Sequence, residues 1–203
     1  MAGKRFGQWV PAVVSAALAA ATLVVYSIVR EDTKALTYLQ IGAASLVPAV
    51  FPIIGRITKK DVPIYVGALV AVHIFLANDL GSALLFYDLI PAWDLIMHGF
   101  FGFVFAVIVS VFLKRWGELK KFGYNLLIFL STAGAAALWE VWEYTCDTLL
   151  DGDAQRVKEA LANGTNPIAD TMEDIMITLA GAAVFYIAVL VAKLLRSGKN
   201  KRR

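Results

Sequence analysis

The sequence predicts an all-α protein: a polytopic bundle of six transmembrane helices in a single membrane domain over residues 1–203, with both termini in the cytoplasm. Three observations carry this. Of the 203 residues, 59% are hydrophobic and 17% charged, against about 45–50% and roughly 25% in an ordinary soluble domain. The apolar residues gather in six blocks that approach or exceed the ~20 residues a helix needs to cross a bilayer. Lys and Arg then alternate between successive loops, heavy on one side and light on the other.

The first block covers about 9–29. Lys4 and Arg5 precede it and Ala17-Leu18-Ala19 could mimic a signal-peptide cleavage site, but a signal core spans only about 7–15 residues. This run continues past that site, so a retained helix is expected. The remaining helices are expected at about 35–54, with Pro48 and Pro52 near its end, then 62–78, 94–113, 122–147 and 170–195. Continuous apolar runs of this length exclude β-barrel strands, which are shorter and alternate.

One face of the membrane collects Lys4, Arg5, Arg56, Lys59, Lys60, Lys114, Arg115, Lys120, Lys121 and six more in the C-terminal stretch, fifteen of the 19 Lys and Arg. The other face has Arg30, Lys34, Arg156 and Lys158. Basic residues favour the cytoplasmic side, which fixes the expected orientation. Trp9 and Trp116 fall at the inner interface and Trp93, Trp139 and Trp142 toward the outer one, as interfacial belts do.

Two outer loops stand out. One, from Asp79 to Trp93, carries Asp79 and Asp88 and no Lys or Arg. The other, Thr148 to Ala169, contains an expected short surface helix at Ala154–Leu161 with Gly164 near its end. Asn163-Gly164-Thr165 is formally a glycosylation sequon. The basic tail Lys199 to Arg203 reads as a topology determinant and headgroup contact, not a nucleic-acid site. Cys146 stands alone, which excludes an intramolecular disulfide and a paired-cysteine metal site. A nucleotide-binding glycine loop, a serine nucleophile elbow and a His-Glu-x-x-His motif are all absent from the sequence.

The chemistry lies in the polar residues within the helices. Asp94 and His98 are four apart on one face of the fourth helix, Glu140 and Glu143 three apart on the fifth, Asp170 and Asp174 four apart on the sixth. His73 lies in the third. At about 1.5 Å per residue, His98 and Asp174 sit roughly 6 Å inward from Asp94 and Asp170, and Glu140 roughly 10 Å inward from Asp147. The four helices thus share one ionisable layer near the outer surface. Such groups are costly in a bilayer and face the bundle interior or a wet cavity. With no Lys or Arg in these helix halves, protons, a bound cation or water must offset the charge.

His98, Glu140, Glu143 and Asp174 are the candidates for acid–base chemistry. The same four with Asp94 and Asp170 form a candidate divalent-metal set of oxygen and nitrogen donors. Simpler roles compete. Asp94 and Asp170 could act only as helix N-caps, His73 as a hydrogen-bonded packing residue, and Trp139, Trp142 and Tyr144 as interface anchors. Gly99, Gly102, Gly134 and Gly181 would allow close helix packing.

The motifs resemble those of the YjdF-type inner-membrane proteins of unknown function and, more distantly, the VanZ-like family linked to glycopeptide (teicoplanin) resistance. Asp94-Leu95-Ile96-Met97-His98-Gly99-Phe100 is similar to the family's Asp-x-x-x-His before an aromatic, Gly-rich helix. Glu140-Val141-Trp142-Glu143-Tyr144 is similar to its Glu-x-x-Glu-Trp, with Tyr144 at the Trp position. Asp170-Thr171-Met172-Glu173-Asp174, followed by Gly181-Ala182, looks like its closing Asp-Thr-x-x-Asp. The resemblance covers about Asp79 to Ala183. Thr178 departs from a common Asn, and Leu95 from a common Lys or Arg. It implies the plasma membrane of a bacterium or archaeon and, for the VanZ-like branch, action near the cell envelope. It also selects His98, Glu140, Glu143, Asp170 and Asp174.

Three functions follow as expectations. The first is an enzyme or binding site for a lipid-linked or amphipathic small molecule, with membrane lipids as partners and a divalent metal ion as candidate cofactor. The second is a cation- or proton-coupled transporter, disfavoured because the polar layer lies off the midplane and no repeat is evident. The third is a non-catalytic envelope or antibiotic-resistance factor.

Overall fold

Hydrocarbon offers the backbone no hydrogen-bond partners, so a chain that crosses it must satisfy every N–H and C=O within its own helices or a closed barrel. Among the described residues, every candidate span takes the helical solution. The structure is a computed structural model that describes residues 7–30, 35–117 and 119–200, without the side chains of Leu36, Trp116 and residues 198–200. Expectations for Lys4, Arg5, Lys34, the Trp116 ring and the tail Lys199–Arg203 lie outside the described residues.

Among the described residues there is no strand, and six helices are long and apolar enough to cross a membrane. They are Val10–Val29, Thr37–Thr58, Ile64–Ala83, Trp93–Arg115, Lys121–Leu150 and Ala169–Ser197. In chain order we label α1 (Val10–Val29), α2 (Ala35–Ala44), α3 (Val50–Thr58), α4 (Ile64–Ile74), α5 (Phe86–Leu89), α6 (Trp93–Trp116), α7 (Lys121–Leu150), α8 (Val157–Asn163) and α9 (Ala169–Asn200). The chain forms two compact units, Met1–Met97 and His98–Arg203, and the division falls within α6.

In the first unit, the second span is not one regular helix. α2 and α3 are joined by a 3-10 turn at Val47–Ala49, because Pro48 and Pro52 each lack the N–H that an α-helix interior needs. Pro48 is buried. α3 ends at Lys59 in the left-handed region, φ 56°. Arg56 on α3 lies 5.2 Å over the Trp9 ring, a cation–π contact that ties α3 to the start of α1. α1 packs closely on α4, where a Cβ on Gly67 would meet the Pro11 ring at 3.3 Å. A core of Ala19, Tyr26, Ile41 and Ala83, flanked by Leu23 and Tyr38, joins α1, α2 and the end of the third span.

The third span departs from the sequence reading. Expected to end at Asn78, it continues to Ala83 as a π-helix over Phe75–Ala83. Asp79, expected in an outer loop, lies inside that helix and is 2% exposed. The π segment stops where Leu85 takes a left-handed conformation, φ 64°, costly for a branched residue.

In the second unit, α7 and α9 are long helices whose outward residues, such as Leu138, Trp142, Ile187 and Leu190, are exposed. In a bilayer this apolar surface faces lipid. The core, Ala106, Ile128, Ala182 and Phe185, joins α6, α7 and α9. Polar ties support it: Tyr186 donates to the Asn125 carbonyl at 2.7 Å, and Ser110 and Tyr124 share a 2.6 Å hydrogen bond. The expected surface helix at Ala154–Leu161 begins three residues later, at Val157. The Asp153 carboxylate accepts from the Lys158 and Glu159 N–H groups at 2.8 and 3.0 Å, holding residues 154–156 in a turn. Gly164 ends α8 with φ 66°, the left-handed cap that glycine adopts without strain.

A candidate metal centre

The site is built on a glycine crossing. A Cβ added to Gly102 would overlap the Thr178 carbonyl oxygen, and one added to Gly181 would overlap that of Gly99. α6 and α9 therefore touch backbone to backbone, as small residues permit in membranes. The fully buried Thr178 hydroxyl spans the crossing and donates to the His98 carbonyl at 3.3 Å. One turn along each helix from this contact stand His98, four before Gly102, and Asp174, four before Thr178. Their side chains meet, with Nε2 3.6 Å from Asp174 Oδ2. His98 is 8% and Asp174 1% exposed. Gly134, in contrast, has open space where a Cβ would go, so it does not serve the close packing expected of it.

α7 brings the other acids. Glu140 is 6% exposed and Glu143, one turn later, is half-buried. One carboxylate oxygen from each of Glu140, Glu143 and Asp174 falls within a group whose members are all within 4.8 Å of one another. The Trp139 indole donates to Glu143 Oε1 at 2.8 Å, orienting that carboxylate. Trp139 also lies against Phe101 of α6, ring centroids 6.2 Å apart. Expected only as an interface anchor, Trp139 also orients Glu143, a role that its i,i+4 spacing signals.

The loop after α7 closes the end of the site, and its part is not legible from motifs. Asp147 accepts from the backbone N–H groups of Ala154 and Gln155 at 2.7 and 2.9 Å, folding the loop back over its own helix. The buried Gln155 amide then donates to the Glu140 carbonyl at 3.4 Å and the Thr171 hydroxyl at 3.2 Å. Arg156 reaches Asp170, Nε to Oδ1 3.9 Å. No Lys or Arg stands in these helix halves, as the sequence reads; the cation that reaches Asp170 comes from the loop instead. Further out, Lys158 binds the exposed Asp151 at 2.6 Å. That hydrogen bond and charge hold the Asp151 carboxyl below its ordinary range and the Lys158 ammonium above its own.

Each sequence-selected residue now has a place. His98, Glu140, Glu143 and Asp174 converge. Asp170 stands one turn before Asp174 in the first turn of α9 and faces Arg156. Asp94 is in the first turn of α6, one turn before His98 on the same helix. His73 belongs to α4 in the first unit.

Three carboxylates this close repel one another when ionised, and protons, a protonated His98 or a bound cation would offset that charge. A cation bound at about 2.0–2.6 Å can reach donors up to about 5 Å apart, which the spacing of Glu140, Glu143 and Asp174 allows. Carboxylates with one imidazole suit Mg, Mn, Fe or Zn.

The family model described as predicted membrane protein (DUF2238) matches residues 11–195, nearly the whole chain. The chain belongs to this family. It is the family of the YjdF-type proteins, so the resemblance carried by the three motifs holds at that level. An uncharacterised protein of Thermotoga maritima is 28% identical over 163 residues, covering 78% of each chain. No solved structure matches.

Proposed function

We propose that this protein is a membrane-embedded metal-binding protein, whose centre at His98, Glu140, Glu143 and Asp174 takes one divalent cation and acts on a lipid or envelope-linked substrate. The observation that carries the reading is the convergence within 4.8 Å of three carboxylate oxygens, two from buried residues and one from half-buried Glu143, with His98 against Asp174. Asp170 flanks the centre one turn along α9, and Asp94, one turn before His98 in the sequence of α6, stays in the candidate set by its spacing alone. A cation there would act as a Lewis acid on a phosphoryl or carbonyl oxygen. The protein's own groups hold it, orient Glu143 through Trp139, and offer His98 and the acids for proton transfer.

On the orientation that the basic loops imply, the centre lies near the outer leaflet of a bacterial or archaeal plasma membrane, within reach of headgroups and lipid-linked precursors. The VanZ-like resemblance supports an envelope role, and the exposed apolar surface of α7 and α9 makes membrane lipids its constant partners. Cation- or proton-coupled transport and a non-catalytic resistance or envelope factor are the rival readings.

Metal analysis of the protein purified in detergent, with the co-purified lipids identified by mass spectrometry, tests the proposal. About one divalent ion per chain is expected, lost in Asp174→Asn and His98→Ala. If wild type and variants carry equal metal and respond alike to added Mn or Zn, the centre does not exist. If metal binds but no lipid substrate is turned over or retained, the enzymatic reading fails.

A further inference from the structure

The first unit buries a carboxylate that the proposed centre does not use. Asp79 is 2% exposed and lies within the π-helical end of the third span. α1, α2, α4 and α5 pack against that segment. The Thr22 hydroxyl of α1, itself 6% exposed, is within hydrogen-bonding reach of the carboxylate. The second carboxylate oxygen, Oδ1, has no hydrogen-bond donor among the described residues. The titratable groups on the packed elements are Tyr26 on α1, Tyr38 on α2, Tyr65 and His73 on α4, and Tyr87 and Asp88 on α5. None is a Lys or Arg. Next to Asp79, Asn78 accepts from the Gln40 amide at 2.9 Å, so the neighbouring turn is also polar. Above it, Gly81 leaves room for the Tyr87 ring, which a Cβ would overlap.

A buried acid with one oxygen unsatisfied is expensive in a bilayer, and π segments concentrate at functional positions because they interrupt an otherwise regular helix. The charge balance selects the occupant. One carboxylate with neutral oxygen donors is neutralised by a single positive charge, whereas a divalent ion would leave a net positive charge buried. We propose that Asp79 and Thr22 form a second cation site, specific for a monovalent metal ion such as sodium, which competes with a proton for the carboxylate. Sodium binds the ionised form through Asp79 Oδ1 and the Thr22 hydroxyl oxygen, and protonation releases it. The site is separate in chemistry from the divalent centre and does not depend on it.

The test uses the full chain in detergent with EDTA present, titrated with sodium chloride against choline chloride at constant ionic strength. Sodium is expected to raise the thermal midpoint where choline does not. Its apparent affinity is expected to fall about tenfold for each unit by which pH drops once protons compete. Asp79→Asn is expected to abolish the sodium response and Thr22→Val to weaken it at least several-fold, both keeping the response to divalent metal. Equilibrium binding of radioactive sodium to the wild-type protein supplies a readout that needs no variant. Equal midpoints in sodium and choline at every pH, or sodium binding that Asp79→Asn leaves intact, would overturn the proposal.

Discussion

The two units bury carboxylates in opposite ways. In the second, Asp174 sits among other acids on regular helices, and a glycine crossing forces the group together. In the first, Asp79 is the one buried acid among the described residues, and the helix changes pitch where it sits. The clustered acids accumulate charge that a divalent ion matches. The solitary one needs a single charge, with a hydroxyl to help bind it. On the two proposals above, the number of acids brought together, more than the depth of burial, would set what kind of ion each unit holds.

The comparison breaks most readily at the crossing. Gly181→Leu is expected to cost about 3 kcal/mol by overpacking and to separate His98 from Asp174. Thermal unfolding in detergent would show the loss, and metal content would fall with it. A Gly134→Leu control on α7, where space is open, is expected to leave both unchanged.

Next in size is the divalent response. At a free-ion concentration 100-fold above Kd, binding adds about 2.7 kcal/mol to the folded state, so the midpoint should climb with added metal. Asp174→Asn should erase that climb and Asp79→Asn should preserve it. If both variants lose it, the units do not divide the ions as described.

A smaller effect is expected at the loop. Asp147→Ala removes the acceptor for two backbone N–H groups and should loosen residues 151–168 by about 1–2 kcal/mol. Hydrogen exchange of the Ala154 and Gln155 amides checks it directly. If Gln155 steadies Glu140, metal affinity will weaken along with protection.

The smallest effect belongs to the exposed Asp151–Lys158 pair. Lys158→Gln should leave global stability unchanged, since exposed pairs contribute little and are screened by salt. The lowered Asp151 carboxyl means its local contribution is present above the ordinary carboxylate range and is lost as pH falls through the lowered value. The raised Lys158 ammonium keeps its contribution below the ordinary amine range and loses it only as pH rises through the raised value. Loop exchange measured against pH at low salt would show both edges.

Much of this was legible from residues alone. Six spans follow from apolar length, and the convergence of His98, Glu140, Glu143 and Asp174 follows from 3.6-residue spacing and depth. The rest depended on geometry that spacing does not encode. Asp79 reads as loop because an acid normally ends an apolar run, and nothing in Phe75–Ala83 announces a π-helix. Arg156 counts as a loop cation until Asp147 folds the loop back toward Asp170. Gly102 and Gly134 look alike in sequence, yet one faces a neighbouring backbone and the other faces open space.

The backbone contact at Gly102 and Gly181 separates two decisions in the life of this chain. Whether α6 and α9 enter the membrane depends on hydropathy, and replacing either glycine with leucine would make entry easier. Whether they then find each other depends on having no side chain there. A leucine variant would therefore be synthesised and inserted normally, and would fail only at assembly. For this chain, abundance in the membrane would be a poor guide to function, since damage at the crossing would leave no mark on insertion.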